Sequence, residues 1–387
     1  MKRILSALAA AIALLFPLLC LGEPAPAAET ALFAVSAGKA DALILKTADK
    51  AFLIDAGYAR SRGKILYAME LLGITGFDGA VLTHNDRDHA EGLEWLSESD
   101  IPVGTWYASA YYTGIKKESK HPAVAAAANR GQSVVWLRRG DALPLGDAVL
   151  RVLAPETLFT DKDDNNSLVL MLETPHGRIL LAGDMEYPEE DVLLASGQDL
   201  KCDVLKVPNH ADDDTASAAF LAACAPKFAV ITTDSVEKPG TPDPYLMERL
   251  YDTGATVLET QDAEGGVLVT MGAEGIRTEL IGLPETAEHI TVAATDSERD
   301  LITLKNAGGS AVDLGGWYLI PDRKNILFVI PQGTVLAPGQ SLTVGGSNAD
   351  AAADLTWNVK RVLNKKKDDG VTLYDAYGNA VSYRADR

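Results

Sequence analysis

A run of small and apolar residues, Gly79-Ala80-Val81-Leu82-Thr83, ends directly in His84-Asn85-Asp86-Arg87-Asp88-His89. This junction constrains the fold more than any other stretch. A buried strand that delivers two imidazoles and two carboxylates needs a loop turning several side chains toward one point, as a metal centre requires. Asp and Asn are also ordinary turn residues, so a polar surface turn is the competing reading. Against it, the chain holds only six histidines, and two of them flank this loop.

The surrounding pattern is that of an α/β unit. Ala42–Leu45 and Ala51–Ile54 read as short strands around a polar turn, and the second runs into Asp55-Ala56-Gly57. Ile65, Met69 and Leu72 mark one face of a helix ended by Gly73. Alternating elements continue through Val149–Leu153, Leu168–Leu172, Ile179–Ala182, Val204–Val207 and Phe228–Thr232. Two of these strands end in further candidate ligands: Asp184 follows Leu180-Leu181-Ala182-Gly183, and His210 follows Leu205-Lys206-Val207-Pro208-Asn209. Strand ends that converge on one sheet edge are where sites form, so the repeated combination favours metal binding.

After Pro284 the grammar changes. Ile290–Val292, Leu301–Leu304, Trp317–Ile320, Ile326–Val329, Ser341–Val344 and Val371–Tyr374 are short apolar runs with Gly, Asn, Asp and Pro between them. That spacing predicts an all-β sandwich over 287–387, following an α/β domain over 30–283. Charge divides at the same place. Residues 285–387 carry 11 Lys+Arg against 13 Asp+Glu, a net of −2, and the rest carries 24 against 41, a net of −17. So acidic an N-terminal part repels polyanions and shows no global nucleic-acid-binding surface.

The first residues read as an export signal over 1–27. Lys2-Arg3 precede an uncharged apolar run from Ile4 to Leu21, and Ala25-Pro26-Ala27 offers a cleavage site. The run is marginal in length for a membrane anchor and is broken by Pro17, so the expected location is secreted or extracytoplasmic, with no stable membrane partner. Cys202 and Cys224 then remain in the mature chain, too few for a disulfide framework, and are expected as buried free thiols.

The order Asp55-Ala56-Gly57, then His-x-Asp-x-Asp-His over 84–89, then Gly183-Asp184, then His210 resembles the metallo-β-lactamase superfamily. Within it, the chain resembles the hydrolase domain at the end of the competence protein ComEC. Val35–Ala42, Asn165–Leu170, Pro242–Leu250 and Thr260–Gly265 continue the resemblance. Ile302–Asn306, Val312–Leu319, Leu336–Leu342 and Asp369–Asp375 resemble the lamin-tail domain.

The resemblance implies a four-layer αββα sandwich with two divalent cations, zinc or manganese, followed by an immunoglobulin-like β-sandwich with Trp317 in its core. It places His84 and Asp86 on the first cation and Asp88, His89 and His210 on the second, with Asp184 bridging. Asp55 is expected to orient the His84 loop rather than bind metal. Asn165, Asn166 and Ser167 stand where the superfamily often has a third His, and Asp86 replaces an imidazole, which hardens that site toward manganese. Asn209 and Thr241 stand where the family shows His.

The implied chemistry is hydrolysis by a metal-bound hydroxide between cations roughly 3.5–4 Å apart, with Asp88 and Asp184 as catalytic carboxylates and Asp88 sharing the water proton. A phosphodiesterase or nuclease is the favoured activity. Hydrolysis of another ester or a lactone, and a non-catalytic metal-fold binding protein, are the alternatives. Lys116, Lys117, Lys120 and His121, beside Tyr111 and Tyr112, form one candidate basic strip, with a solvated loop as the plainer reading. Lys360, Arg361 and Lys365–Lys367 form a second, which would hold nucleic acid or a cell-wall polymer, or simply solubilise a hairpin.

Overall fold

The computed structural model describes residues 29–286, 289–324, 326–349 and 353–386. The expected export signal at 1–27 lies outside the described residues. Among them, no helix is long and apolar enough to cross a membrane.

Two sheets stack face to face over residues 30–281. One has the order Gly275–Ile281, Gly266–Gly272, Thr30–Val35, Leu43–Lys46, Ala51–Ile54, Phe77–Leu82, Val103–Ser109, Val134–Leu137. The other runs Thr256–Glu259, Phe228–Ile231, Val204–Lys206, Gly177–Leu181, Val169–Thr174, Ala148–Ala154, Ala142–Leu145. Alternation along the strands explains the layering, because successive side chains face opposite sides of a sheet. Leu32 and Ala34 turn inward with Leu43, Leu45, Ile54 and Val81 to meet Leu150, Leu170, Leu172, Ile179 and Val204 of the second sheet. Phe33, Val35, Ile44 and Leu53 turn outward onto the helices carrying Ile65, Ala68, Leu93 and Leu96. Met171, Leu180 and Leu205 do the same for helices carrying Leu193, Phe220 and Leu250. The result is helix, sheet, sheet, helix: the four-layer sandwich.

Part of each sheet is parallel. Ala51–Ile54 pairs with Phe77–Leu82, and that strand with Val103–Ser109. Gly177–Leu181, Val204–Lys206, Phe228–Ile231 and Thr256–Glu259 likewise run in one direction. Parallel strands finish at a common edge, so their following loops share one rim.

From Ile290 onward all described elements are strands, in two four-stranded sheets ordered Ile290–Asp296, Leu301–Asn306, Ser341–Gly346, Leu355–Trp357 and Phe328–Val329, Tyr318–Pro321, Gly370–Tyr374, Ala380–Ala385, with a two-stranded sheet of Val312–Asp313 and Val335–Leu336. Ile302, Leu304, Trp317, Leu319, Val344, Trp357 and Leu373 close their core. This β-sandwich packs on the first half. Buried Tyr318 donates its hydroxyl to the Arg60 carbonyl at 2.7 Å and accepts the Gly63 amide at 3.4 Å. Arg62 lies 5.7 Å from the Tyr318 ring centroid and donates to the Gly316 carbonyl at 3.2 Å. Gly63 sits so near the sandwich that a Cβ there would come within 2.3 Å of the Gly378 nitrogen, so only glycine fits. Cys202 and Cys224 are buried and free.

Candidate metal centre

The ends of the parallel strands supply the site. Asp55 follows Ala51–Ile54, His84 follows Phe77–Leu82, Asp184 follows Gly177–Leu181, and His210 follows Val204–Lys206. A short helix, Arg87–Ala90, raises His89 beside His84, with the Asp86 carbonyl accepting the His89 and Ala90 amides. The Asn209, His210 and Ala211 backbones all have positive φ, 43°, 51° and 64°. Non-glycine residues rarely hold that left-handed conformation, so the surrounding packing maintains a strained turn that aims His210.

Three imidazoles stand in a row. The His84 and His89 ring centroids are 4.1 Å apart, and those of His89 and His210 5.4 Å. Around one end, Asp88, His89, Asp184 and His210 bring one ligand atom each to within 4.8 Å of the others. Around the other end, His84, Asp86 and Asp164 do the same. The Asp184 Oδ2 atom is central to the first set, 3.1 Å from His89 Nε2 and 3.0 Å from His210 Nε2. Asp88 Oδ2 lies 3.7 Å from His210 Nε2 and 3.8 Å from Lys39 Nζ, toward the mouth.

Hydrogen bonds behind the rings decide which nitrogen faces inward. His89 Nδ1 is 2.8 Å from Asp55 Oδ2, and His210 Nδ1 is 2.7 Å from the Thr232 carbonyl. Both partners are acceptors, so each Nδ1 carries the proton and each Nε2 points at the cluster. Asp55 accepts twice more, from the Thr83 amide at 2.8 Å and the Thr83 hydroxyl at 2.7 Å. With its own proton so used, the Thr83 oxygen, 3.1 Å from His84 Nδ1, accepts from that ring. One fully buried carboxylate therefore orients both His84 and His89.

The buried charges also act on one another. Burial alone would raise the Asp184 carboxyl, but His210, His89 and Lys206 outweigh it and hold it well below the usual range. Burial works to lower His89, and Asp184 with Asp55 overcome it, holding the ring well above an ordinary imidazole. His84 is shifted down by burial and by the neighbouring His89. Asp164 is pushed up to about 8, by burial first and then by Asp184 and Asp86.

The donor set fits divalent cations. His84 Nε2, His89 Nε2, His210 Nε2 and Asp184 Oδ1 are buried atoms without a hydrogen-bond partner, a costly arrangement unless something binds there. Mixed imidazole and carboxylate donors suit zinc, manganese or iron.

Other expected residues are placed elsewhere. Asn166 bonds the Phe159 amide and carbonyl and so shapes the 159–166 loop. Ser167 Oγ accepts the Asp184 amide at 3.1 Å. Asn165 holds Glu186 at 2.9 Å. Asn209 donates to Asp214 at 3.2 Å, outside both ligand sets. Thr241 donates to the Lys238 carbonyl within its own turn. His121 is buried in an aromatic nest, 4.8 Å from Tyr112 and 5.0 Å from Trp136, and burial pushes its pKa down to about 4. It belongs to that packing, whereas Lys116, Lys117 and Lys120 are exposed. In the second basic cluster, Lys365 pairs with Glu298 and Arg361 is committed to the Ser297 carbonyl.

Three residues at the site went unassigned in the sequence. Asp164 joins His84 and Asp86. Asp41 and Lys206 form a buried pair behind His89 and His210, with Lys206 Nζ 2.5 Å from Asp41 Oδ2. The signal for the second was present: a lysine inside the apolar run Val204–Val207 has to find a charge partner.

Residues 36–233 match the family model of the metallo-beta-lactamase superfamily. Residues 286–386 match that of the Lamin Tail Domain. The chain is 29% identical over 194 residues to ComE operon protein 3 of Bacillus subtilis (strain 168), covering 49% of this chain and 24% of that protein. To Competence protein ComA of Neisseria gonorrhoeae it is 26% identical over 262 residues, 66% of this chain and 34% of that protein. It thus spans about a quarter to a third of the length of the curated relatives it matches. Among solved structures, the metallo-beta-lactamase fold protein YhfI from Bacillus subtilis aligns with 63% of this chain and 99% of its own, at 12% identity and a TM-score of 0.41. With the family model spanning half of its length and the strand-end ligands at one rim, the chain belongs to the metallo-beta-lactamase superfamily and carries a lamin-tail domain behind the hydrolase fold.

Proposed function

We propose that this protein is an exported hydrolase that uses two divalent cations, zinc or manganese, to cleave phosphodiesters. The observation carrying the reading is the convergence of Asp88, His89, Asp184 and His210 beside His84, Asp86 and Asp164 on one rim. Cations held by these two sets supply Lewis acidity and an activated water at neutral pH. His89 and His210 turn Nε2 toward the site by committing Nδ1 to Asp55 and to the Thr232 carbonyl. Asp184 presents Oδ2 between them. Asp88 is the partly open carboxylate of its set, 18% exposed, and accepts a proton from the attacking water. Lys39, 3.8 Å away, offers positive charge at the mouth for an anionic substrate.

The phosphodiester class is supported by the relatives named for competence and by that mouth lysine. The acidic catalytic half favours a short or small phosphodiester over a long duplex, because it repels polyanions beyond the site. The lamin-tail domain, through Lys360, Lys366 and Lys367, would hold an anionic polymer, nucleic acid or cell wall, near the enzyme.

The test is hydrolysis of bis-p-nitrophenyl phosphate and of a single-stranded oligonucleotide with manganese or zinc, beside an Asp184→Ala, His89→Ala double variant. Cation-dependent cleavage lost in the variant is expected. Cation binding with no phosphodiester cleavage would move the activity to another ester or a lactone, and no cation binding would leave a non-catalytic binding protein.

A further inference from the structure

Lys206 sits mid-sheet in Val204–Lys206 and is completely buried. A lysine is found there only when its charge is matched. Its Nζ lies 2.5 Å from Asp41 Oδ2, 3.0 Å from the Gly183 carbonyl and 3.6 Å from Asp184 Oδ1. Asp41 is itself 1% exposed and accepts the Thr232 hydroxyl at 2.5 Å. The Thr232 carbonyl in turn fixes His210. The pair therefore stands directly behind two candidate ligands.

Asp184 divides its carboxylate between two neighbours. Oδ2 faces the two imidazoles, and Oδ1 faces the ammonium without a hydrogen bond. Packing alone gives no reason for an ion pair at this strand position, since apolar residues of similar volume often replace buried pairs without loss of stability. What the pair adds is fixed charge next to a group built for cations.

We infer that Lys206 and Asp41 set how tightly the group Asp88, His89, Asp184 and His210 holds its cation, with Lys206 as a positioning residue. This rests on the metal-dependent reading above. The ammonium draws one Asp184 oxygen away from the cation position and opposes the cation's charge, and Asp41 offsets much of that opposition. Together they keep the cation exchangeable rather than permanently held. The two charges then have opposite effects when removed singly, and nearly cancel when removed together.

The experiment is a manganese titration of the chelated full-length protein by isothermal calorimetry, with urea unfolding run in parallel. Lys206→Met is expected to bind manganese at least about tenfold tighter, and Asp41→Asn at least about tenfold weaker, as charges a few ångströms from the cation in a low-dielectric interior demand. The Lys206→Met, Asp41→Asn double variant is expected to return to within about threefold of the parent, its net charge being restored. Should Lys206→Met fail to fold, Asp41→Asn against the double variant carries the same comparison. A pair that serves folding alone would loosen binding in every variant, and that result overturns the inference. If the parent binds no manganese or zinc at all, the metal reading fails as well.

Discussion

Asp55→Asn is the most informative single change at this centre. The Asp55 backbone is left-handed, φ 56°, a conformation Asn tolerates, so the substitution tests the carboxylate rather than the chain. The parent side chain is fully buried and takes three donors: the Thr83 amide on Oδ1, and the Thr83 hydroxyl and His89 Nδ1 on Oδ2. An amide keeps one oxygen. If the oxygen stays on the Thr83 amide, the new NH2 group faces His89 Nδ1–H, and the ring relieves the conflict by moving its proton to Nε2, where a cation needs the lone pair. If the amide flips, NH2 faces the Thr83 N–H instead. Either way one buried donor loses its acceptor, at a cost of about 1–3 kcal/mol. Loss of such an outer partner typically weakens metal binding about 10–100-fold, or about 1.4–2.7 kcal/mol, which agrees with the geometric count. Calorimetric titration of chelated protein with manganese, with a melting curve on the same sample, measures both. Affinity within about twofold of the parent, with an unchanged melting curve, would refute the claim that Asp55 sets the tautomers of this site.

Gly63→Val should undock the lamin-tail domain, since its Cβ would fall 2.3 Å from the Gly378 nitrogen, a backbone atom that cannot step aside. Protease cutting within 282–289 should then accelerate, and a larger radius of gyration in small-angle scattering should accompany it; unchanged values would mean the contact does not hold the halves together. Glu189 is buried with both carboxylate oxygens unpartnered, and burial raises its pKa well above 4.5. Folding thus favours the neutral acid, so its contribution is intact below the unfolded value and is lost as pH rises toward the elevated folded one. Glu189→Gln should leave urea stability nearly unchanged in acid and raise it at neutral and alkaline pH; an equal effect at every pH would refute this. Adding manganese or zinc to the chelated protein at about a hundred times the dissociation constant should stabilise it by about 2.7 kcal/mol, readable as a rise in melting temperature.

How much of this was legible beforehand depended on the range of the interactions involved. His84, Asp86, Asp88 and His89 share one loop after a recognisable buried strand, so their proximity is local and the pattern announces it. Asp184 and His210 lie about a hundred residues away in sequence, yet each follows an apolar run, and parallel strands bring such ends to one rim. Asp164 carried no such flag. It lies in Asp161-Lys162-Asp163-Asp164, where acidic residues read as a solvated turn, and only the folding of that loop against His84 selects it. Asp41 and Lys206 are 165 positions apart, and their pairing exists only once the two sheets stack. The Tyr318–Arg60 contact is likewise tertiary: neither strand pattern nor composition says which face of the β-sandwich meets which helix.

The two ligand sets are unequal, and the inequality orders their filling. His89, Asp184 and His210 are buried, two of them with Nδ1 committed to strong acceptors, so a cation arriving there meets donors already in place. His84 is equally buried, but its orienting bond runs through a hydroxyl, while Asp86 is exposed and Asp164 only partly covered. Those two carboxylates must be ordered, and Asp164 deprotonated, before they can serve. If the site takes two cations, the Asp88 set would hold the first, and Asp164 of the His84 set would have to ionise to hold a second. The His84 set is thus the more open half of the centre, whose carboxylates would still have to be ordered around a cation, whereas the residues of the Asp88 set are locked from behind.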